Sequence, residues 1–388
     1  MRDVIVVGGG PAGSATAIAL AQRGYDVELF ERATFPRAKA CGEGVLPAGV
    51  AALARLGVPV ERLDPAAHLT SIRFHAGDHA AVGRIPAGGA LGVERTVLDA
   101  ALLDRARSVG VACYTGTAVR GLAHSEAGTA GVIVDHGEVR ARMVVAADGI
   151  HSRLRREAGL DAGHRGGRQA LTFHLEAGNR DRETIEVRFR RRYEIYITPI
   201  GNDRINVAVL SDRALIRELA RNGMEGLARL VDEELGVGAS AIERILGGGP
   251  FPATSAALSR GRVVLAGDAA GFVDGITGEG ISLALQGAER CAEAIDVALR
   301  TGRRTSLRRY ERQVRALGRN SSLLARLSLF LARRPRLAAA AIESLAMHPE
   351  VFDRLIRINC GEAGLAALRS GDLAGLADPR ALLRTLRE

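Results

Sequence analysis

The glycine-rich run GGGPAG at positions 8–13 constrains the fold of this 388-residue chain more than any other segment. It follows the β-branched run DVIVV, which is typical of a buried parallel strand, and it precedes an apolar helical stretch that ends at Gly24. A second strand-like run then ends at Glu31. A strand, a glycine turn, a helix and a second strand with a terminal carboxylate together predict a βαβ unit that binds a dinucleotide.

Each residue type in this turn has its own physical reason. Gly8 permits the tight turn, Gly10 lets the backbone approach a pyrophosphate at the helix N-terminus, and Gly13 lets the helix lie close to the strand. Glu31 can accept hydrogen bonds from both hydroxyls of an adenosine ribose. Because a carboxylate disfavours a 2′-phosphate at this position, the segment favours FAD or NAD over NADP.

Two later strand-like runs also end in an aspartate next to a glycine. Residues 142–147 lead to Asp148, with Ser152 expected to open an arginine-rich helix, and residues 262–266 lead to Asp268. Ligands of open α/β sheets bind at the carboxyl ends of strands, where both aspartates fall. Each aspartate alone could instead cap a helix. Three such segments in this order favour a nucleotide site.

The segments GGGPAG with Glu31, ADGIHS and GDAAGFVDGITGEGI resemble the three FAD fingerprints of a flavoprotein superfamily. This superfamily includes para-hydroxybenzoate hydroxylase, squalene epoxidase, flavin halogenases and geranylgeranyl reductases. The resemblance covers most of residues 1–300. It implies that Asp268 binds the ribityl and pyrophosphate part of FAD and that Gly280 and Ile281 lie beside the isoalloxazine ring. The other cofactor contacts that it implies are Pro11, Ala12, Ser14, Arg32, Arg95, the backbone of Val119 near the adenine, and Asp148.

The chain between the fingerprints predicts a second kind of structure. Short strand-like runs separated by turn residues predict one antiparallel sheet over the flavin, and an amphipathic helix is expected near 212–235. The predicted fold class is therefore α/β, with a Rossmann-like FAD-binding domain, an inserted antiparallel-sheet substrate domain and a C-terminal helical region. The predicted boundaries are 1–68, 94–165 and 254–300 for the FAD domain, 69–93 and 166–253 for the substrate domain, and 301–388 for the helical region.

Composition excludes several other classes. The formal charge of +9 comes almost entirely from scattered arginines, and no recognition motif accompanies it, so a nucleic-acid partner is not expected. The four cysteines have no CxxC spacing, which favours neither a zinc site nor a disulfide framework. No run approaches the roughly 20 apolar residues of a spanning helix, and the N-terminus lacks a signal-peptide pattern, which predicts a cytoplasmic protein. Both a monomer and a homodimer are compatible with the sequence.

Two flavin reactions on a hydrophobic small molecule fit these observations. The first expectation is a monooxygenase of a polyketide or terpenoid, in which molecular oxygen is carried as a flavin C4a-hydroperoxide. The alternative is an alkene-saturating reductase of the geranylgeranyl reductase type, and a non-catalytic flavin-binding protein is a third reading. A tryptophan-halogenase reaction is disfavoured because the chain has no tryptophan. No second nucleotide motif is present, so NAD(P)H would bind transiently or a separate reductase would supply electrons.

Several single residues are candidates for the chemistry. Cys41 follows the ribose-binding strand and, by resemblance to the reductases, faces the flavin; a small buried hydrophobe is the alternative. Tyr193 and Tyr196 point to opposite faces of a strand, and Tyr193 is expected to line the pocket because it holds the tyrosine position of the signature Tyr-x-Trp-x-Phe-Pro of geranylgeranyl reductases. Ile195 and Ile197 replace the tryptophan and phenylalanine of that signature, which would leave the Tyr193 phenol able to orient a polar ring and favours the monooxygenase. Glu279 either faces the flavin or holds its loop. The run at 323–332, flanked by arginines, fits a core or dimer helix, and it also fits an interfacial helix that contacts a membrane.

Overall fold

The central strands of the first sheet are buried on both faces. The computed structural model describes residues 1–125, 128–236, 242 and 244–368. The strands of this sheet are β1 (Arg2–Val7), β2 (Val27–Glu31), β8 (Ala112–Thr115), β9 (Gly121–Ser125), β10 (Gly128–Val134), β11 (Gly137–Ala146), β17 (Ser259–Arg260) and β18 (Val263–Leu265). Their order is β17-β18-β11-β1-β2-β8, and the β9-β10 hairpin extends from β11. Neighbouring strands run parallel along the series β18-β11-β1-β2-β8, as expected for buried β-branched runs.

The register of these parallel strands brings the three fingerprint segments to one edge. Val7 is paired with Ala146, and Ala146 is paired with Leu265. Gly8, Asp148 and Asp268 each follow one of these strand ends within three residues. The carboxyl edge of the sheet is therefore where the glycine turn and the two aspartates meet, at the position typical of ligand sites in open α/β sheets.

The second sheet combines strands from two separate parts of the chain. Its strands are β5 (Ser71–Ala76), β6 (His79–Arg84), β12 (Asp161–Glu176), β13 (Thr184–Phe189), β14 (Tyr193–Gly201), β15 (Arg204–Asp212) and β16 (Leu246–Ser255), in the order β16-β12-β15-β14-β13-β5-β6. All neighbours are antiparallel except β13 and β5, which run parallel. The prediction of a wholly antiparallel sheet is wrong at this one junction, because β5 arrives from a distant insertion rather than through a hairpin. A small third sheet contains β3 (Gly44–Val45), β4 (Ala67–Leu69) and β7 (Ala90–Gly92).

Eleven α-helices are present in the described residues. They are α1 (Pro11–Ala21), α2 (Pro47–Leu56), α3 (Arg95–Ser108), α4 (Arg153–Glu157), α5 (Arg213–Arg221), α6 (Gly223–Leu235), α7 (Gly280–Thr301), α8 (Thr305–Leu317), α9 (Arg319–Ala332), α10 (Pro335–Met347) and α11 (Pro349–Asn359). Short 3₁₀ turns occur at Val60–Leu63, Gly267–Ala269, Gly275–Thr277 and Leu365–Ala367. The predicted α/β fold class is confirmed. Residues 369–388 of the predicted helical region lie outside the described residues.

The second sheet separates two hydrophobic clusters. Ile195, Ile197 and Val207 face α5 and α6 on one side, as alternation along β14 and β15 requires. Tyr196 and Ala208 face the opposite side, where α10 and α11 contribute to the cluster. A larger third cluster lies around the parallel sheet and helices α1, α3 and α7. No helix in the described part of the chain is both long enough and apolar enough to cross a bilayer.

Candidate functional site

The glycine turn between β1 and α1 is held in place by the protein itself. Gly8 has a φ of +110°, and a Cβ on this residue would lie 2.2 Å from the carbonyl oxygen of Ala147. A Cβ on Gly13 would lie 1.8 Å from the carbonyl oxygen of Gly8. Both distances exclude any side chain, so these glycines allow β1, α1 and the end of β11 to pack together. The Ser14 Oγ donates to the carbonyl oxygen of Gly9 at 3.2 Å and closes the turn.

Glu31, at the end of β2, supports the same turn. One carboxylate oxygen accepts from the Gly9 amide at 2.8 Å, and the other accepts from the Ala33 amide at 2.9 Å. Each oxygen has a second lone pair, so these bonds leave capacity for a ribose hydroxyl. The contact between Glu31 and a ribose stays a prediction.

A cavity of about 640 Å³ begins at the glycine turn and runs beneath the second sheet to the C-terminal helices. Nine of the residues predicted from sequence line it: Gly10, Pro11, Ala12, Arg32, Cys41, Arg95, Asp268, Gly280 and Ile281. Gly8, Gly13, Ser14 and Glu31 lie behind this lining and position the turn. Val119 also lies outside the lining and packs against the large core cluster, so its proximity to an adenine stays a prediction.

The Asp148 side chain caps the short helix α4. Its carboxylate accepts from the Ser152 hydroxyl at 2.5 Å and from the amides of Arg153 and Leu154 at 2.8 and 3.2 Å. These donors are the free amides at the start of α4, which a nearby carboxylate satisfies. The side chain therefore caps α4 and lies outside the cavity lining, and the cofactor contact of Asp148 stays a prediction.

Positive side chains gather around Asp268 at the carboxyl edge of the first sheet. Lys39, the one lysine of the chain, lines the cavity near Asp268. Burial and the neighbouring Arg95 guanidinium lower the pKa of its ammonium group, and the Asp268 carboxylate opposes this shift. The Arg95 guanidinium donates to both oxygens of the buried Asp99 at 2.9 and 2.7 Å. This edge of the cavity is therefore suited to an anionic ligand.

Cys41 lies on the cavity wall in a loop that polar contacts hold from behind. Glu43 has a φ of +58°, and its carboxylate accepts from the Arg95 amide at 2.9 Å. The other oxygen of Glu43 lies 2.7 Å from His174 Nε2. The Asn206 side chain donates to the Cys41 carbonyl at 2.9 Å. Burial raises the pKa of the Cys41 thiol, although Arg95 opposes the shift, so the sulfur keeps its proton at neutral pH.

The two tyrosines of β14 face opposite sides of the sheet, as predicted, but the prediction that Tyr193 lines the pocket is wrong. The Tyr193 hydroxyl donates to Glu234 on α6 at 2.9 Å, and its ring packs against the cluster on that side. Tyr196 lines the cavity, and its hydroxyl donates to the carbonyl of Ile276 at 2.7 Å. Because side chains alternate along a strand, the side of the sheet on which one tyrosine lies determines the side of the other. Which of the two faces the cavity depends on the side on which α5 and α6 pack, and local sequence does not reveal that side.

Glu279 holds the loop before α7 and does not line the cavity. Its carboxylate accepts from the Ser321 hydroxyl on α9, while the other oxygen is buried with no hydrogen-bond partner in the described part of the chain. Burial raises the pKa of Glu279 to about 8. The carboxyl is therefore largely protonated at neutral pH and links the loop to the C-terminal helices.

Comparison with known protein families indicates which ligand binds at the carboxyl edge of the first sheet. The sequence profile of the family described as "FAD binding domain" matches residues 1–322. The chain belongs to this FAD-binding family. It is an FAD-dependent oxidoreductase of the superfamily that includes para-hydroxybenzoate hydroxylase and geranylgeranyl reductases, and the resemblance predicted from its fingerprints is confirmed.

Similar proteins include reductases and a brominase. A menaquinone reductase of Mycolicibacterium smegmatis is 32% identical over 75% of this chain and 75% of its own length. The digeranylgeranylglycerophospholipid reductase 2 of Methanothermobacter thermautotrophicus is 30% identical over 82% of this chain and 84% of its own. The solved structure of the flavin-dependent brominase Bmp2 has a TM-score of 0.81, with 99% of both chains covered, at 20% identity. The last likeness shows the fold alone.

The residues at the glycine turn fit the pyrophosphate of FAD. A Cβ on Gly10 would meet only the ends of Arg37 and Arg95, at 3.5 and 3.8 Å, so the packing of the protein does not itself require glycine there. The open space is a cradle that a bound group would fill. Beside it, the Nε of Arg37 is buried and has no hydrogen-bond partner among the described residues. An anionic oxygen would satisfy this donor.

Sequence reasoning missed Arg37, Tyr196 and the apolar walls supplied by α9, α10 and α11. Arg37 is one of many arginines, and the sequence does not show which of them reaches the cavity. The helical walls include Leu331, Leu345 and Phe352. Their periodicity predicts helices but does not indicate which cavity they reach.

Proposed function

We propose that the chain is an FAD-dependent reductase that saturates an alkene bond in an isoprenoid chain. The observation that carries this proposal is the lining of the cavity beyond Cys41. There the walls are mainly hydrocarbon side chains of the second sheet and the C-terminal helices: Phe74, Val187, Leu331, Leu345, Phe352 and Ile356. Such a lining suits an extended apolar substrate, because burial of hydrocarbon surface drives its binding.

Different residues around the cavity would bind the cofactor, donate the proton and exclude water. Arg37, Asp268 and the glycine turn would hold FAD, which when bound and reduced supplies a hydride equivalent to a substrate alkene. The protonated thiol of Cys41 would hold the proton that completes saturation at the second carbon. Electrons would come from NAD(P)H that binds transiently, or from a separate reductase. The C-terminal helices would exclude water from this reaction.

The named substrates of the relatives support an isoprenoid. Menaquinone and digeranylgeranylglycerophospholipid, which appear in the names of the relatives at 32% and 30% identity, both contain polyprenyl chains with carbon–carbon double bonds. The apolar cavity is compatible with a chain of this chemistry. The structural likeness to the brominase carries no argument for a reaction because it shows only the fold.

Monooxygenation, the reaction that the sequence favours, loses its main support. That preference depended on a phenol at Tyr193 that would orient a polar ring, and the Tyr193 hydroxyl binds Glu234 on the far side of the sheet. The hydroxyl of Tyr196, on the cavity side, binds the Ile276 carbonyl. Monooxygenation therefore becomes the second outcome of the experiment below, with molecular oxygen as its co-substrate.

Anaerobic turnover separates the two reactions. Chemically reduced holoenzyme is incubated without oxygen with a geranylgeranyl lipid or menaquinone, and products are analysed by mass spectrometry. A product whose isoprenoid chain is two hydrogens heavier, a gain that persists after any quinol ring is reoxidised in air, supports the reductase. Product formed only in air, with labelled oxygen incorporated, would reject it in favour of the monooxygenase.

Matched cysteine variants test the proton donor within the same assay. Cys41→Ala should lower turnover by about a hundredfold, as is usual for loss of a positioned general acid. Cys113→Ala, at a half-buried cysteine on β8 outside the cavity, should retain it. Equal turnover in both variants would remove Cys41 from the reaction. FAD content, read from absorbance, should be unchanged in each.

A further inference from the structure

Helix α9 carries a row of exposed apolar side chains. Leu323, Leu327 and Phe330 are 49%, 47% and 48% exposed, which is high for large hydrophobic residues. They are four and three positions apart, so they lie along one side of the helix. A contiguous apolar row of this kind on a protein surface indicates contact with another apolar phase.

The same helix also forms a wall of the cavity. Leu324, Leu327, Ser328 and Leu331 line the cavity, and among them Leu327 is also exposed. The cavity therefore reaches the surface beside the apolar row. Leu323 and Phe330 extend that row without lining the cavity.

The charge along this segment of the chain has one sign. No aspartate or glutamate occurs between Glu311 and Glu343, whereas arginines occur throughout that interval. The exposed ones on and after α9 are Arg319, Arg326, Arg333, Arg334 and Arg336. The guanidinium of Arg334 lies 3.9 Å from the ring centre of Phe330, so cation and apolar surface are adjacent. Arginines that border an apolar helix face are typical of helices that lie at the surface of an anionic bilayer.

We propose that α9 docks this protein on the surface of a bilayer that contains anionic phospholipids. The apolar row enters the acyl boundary while the arginines contact the phosphates. An apolar substrate then passes from the bilayer into the cavity beside Leu327. The docking stands on the helix alone, whereas the passage of substrate rests on the proposed function.

Flotation with vesicles tests the docking without any measurement of turnover. The FAD-loaded full chain is mixed with phosphatidylcholine vesicles that do or do not contain phosphatidylglycerol. We expect the protein to float with the anionic vesicles and to be released by high salt, because screening weakens the arginine contacts. The double variant Leu323→Ser/Phe330→Ser should reduce the bound fraction about tenfold, since both side chains lose their place in the acyl boundary. Ile133→Ser, which removes an exposed apolar side chain from β10, is the matched control and should bind as the parent does.

Three outcomes would overturn the docking. The parent could fail to float with anionic vesicles, or the double variant could float as well as the parent. The chain could also prove to be a dimer by sedimentation, which the double variant dissociates, while neither protein binds vesicles; α9 would then contact a second copy. FAD absorbance and thermal unfolding of each variant show that it is folded. A reductase that acts on detergent-dispersed substrate and ignores vesicles would separate failure of the docking from failure of the proposed function.

Discussion

At Gly13, the addition of a single methyl group should abolish most FAD binding. Its Cβ would lie 1.8 Å from a backbone oxygen, so Gly13→Ala must move α1 away from β1 and displace the amides that face the pyrophosphate. We expect purified Gly13→Ala protein to contain little FAD by absorbance. Gly287→Ala is the matched control: this buried glycine of α7 has no atom within 4 Å of a new Cβ. It should keep its FAD and gain about 0.5–1 kcal/mol of stability. Full flavin content in Gly13→Ala would contradict the role of the turn.

Glu279 should make stability fall as the pH rises. Its pKa is about 8 in the folded protein against 4.5 in a free side chain. Between these values the folded state binds more protons than the unfolded state, so the free energy of unfolding decreases with pH, by at most about 1.4 kcal/mol per unit. Glu279→Gln keeps an acceptor for Ser321 and cannot ionise, so denaturant titrations from pH 5 to 9 should show a shallower decline.

The control variant for Glu279→Gln is Glu138→Gln, which removes an exposed carboxylate from β11. That control should follow the parent at every pH. Cys360 is the other titratable group coupled to Glu279, and its thiol has a pKa raised to about 12, so it stays protonated throughout the range. An unchanged pH slope in Glu279→Gln would show that the carboxyl is ionised in the fold.

At the scale of elements, strand β14 presents one tyrosine to each side, and the pair provides its own control. Tyr196→Phe leaves the buried Ile276 carbonyl without its donor, which costs about 1–3 kcal/mol and loosens the Gly275–Thr277 turn beside the cavity. Turnover should fall at least severalfold. Tyr193→Phe removes a hydroxyl that binds Glu234 on the other side, so it should change stability but leave turnover within about twofold. The reverse ranking in steady-state assays would restore Tyr193 to the pocket.

Continuous apolar runs predict the central strands of the first sheet, whereas contacts between distant segments cannot be predicted from local sequence. β1, the end of β11 and β18 were placed because β-branched runs that stop at Gly or Asp have few alternatives. The parallel pairing of β13 with β5 was missed, since register between remote segments leaves no local signal. The capping role of Asp148 has no distinct local signal either, because a helix cap and a ligand contact use the same residue type after a strand.

At the scale of the molecule, one cavity is lined by all three parts of the structure. Gly10 belongs to the first sheet's turn, Thr172 and Tyr196 to the second sheet, and Leu345 and Phe352 to the C-terminal helices. FAD held at the glycine turn would fill the part of the cavity between the first and second sheets, which otherwise pack through separate clusters. The ligand should therefore stabilise the whole chain and not only the βαβ unit.

Removal and return of FAD tests this coupling. Protein stripped of flavin should unfold at a lower temperature than holoenzyme, and FAD at a hundred times its dissociation constant should restore about 2.7 kcal/mol, because the ligand binds only the folded state. FMN at the same concentration should restore less, since it lacks the ribose that Glu31 is predicted to bind and the second phosphate that the glycine turn is predicted to hold. Limited proteolysis should report the same order, with the stripped protein cut faster than holoenzyme because the segments around the glycine turn lose their contacts with the cofactor. Identical unfolding curves and cleavage rates with and without FAD would mean that the cofactor does not bridge the two sheets.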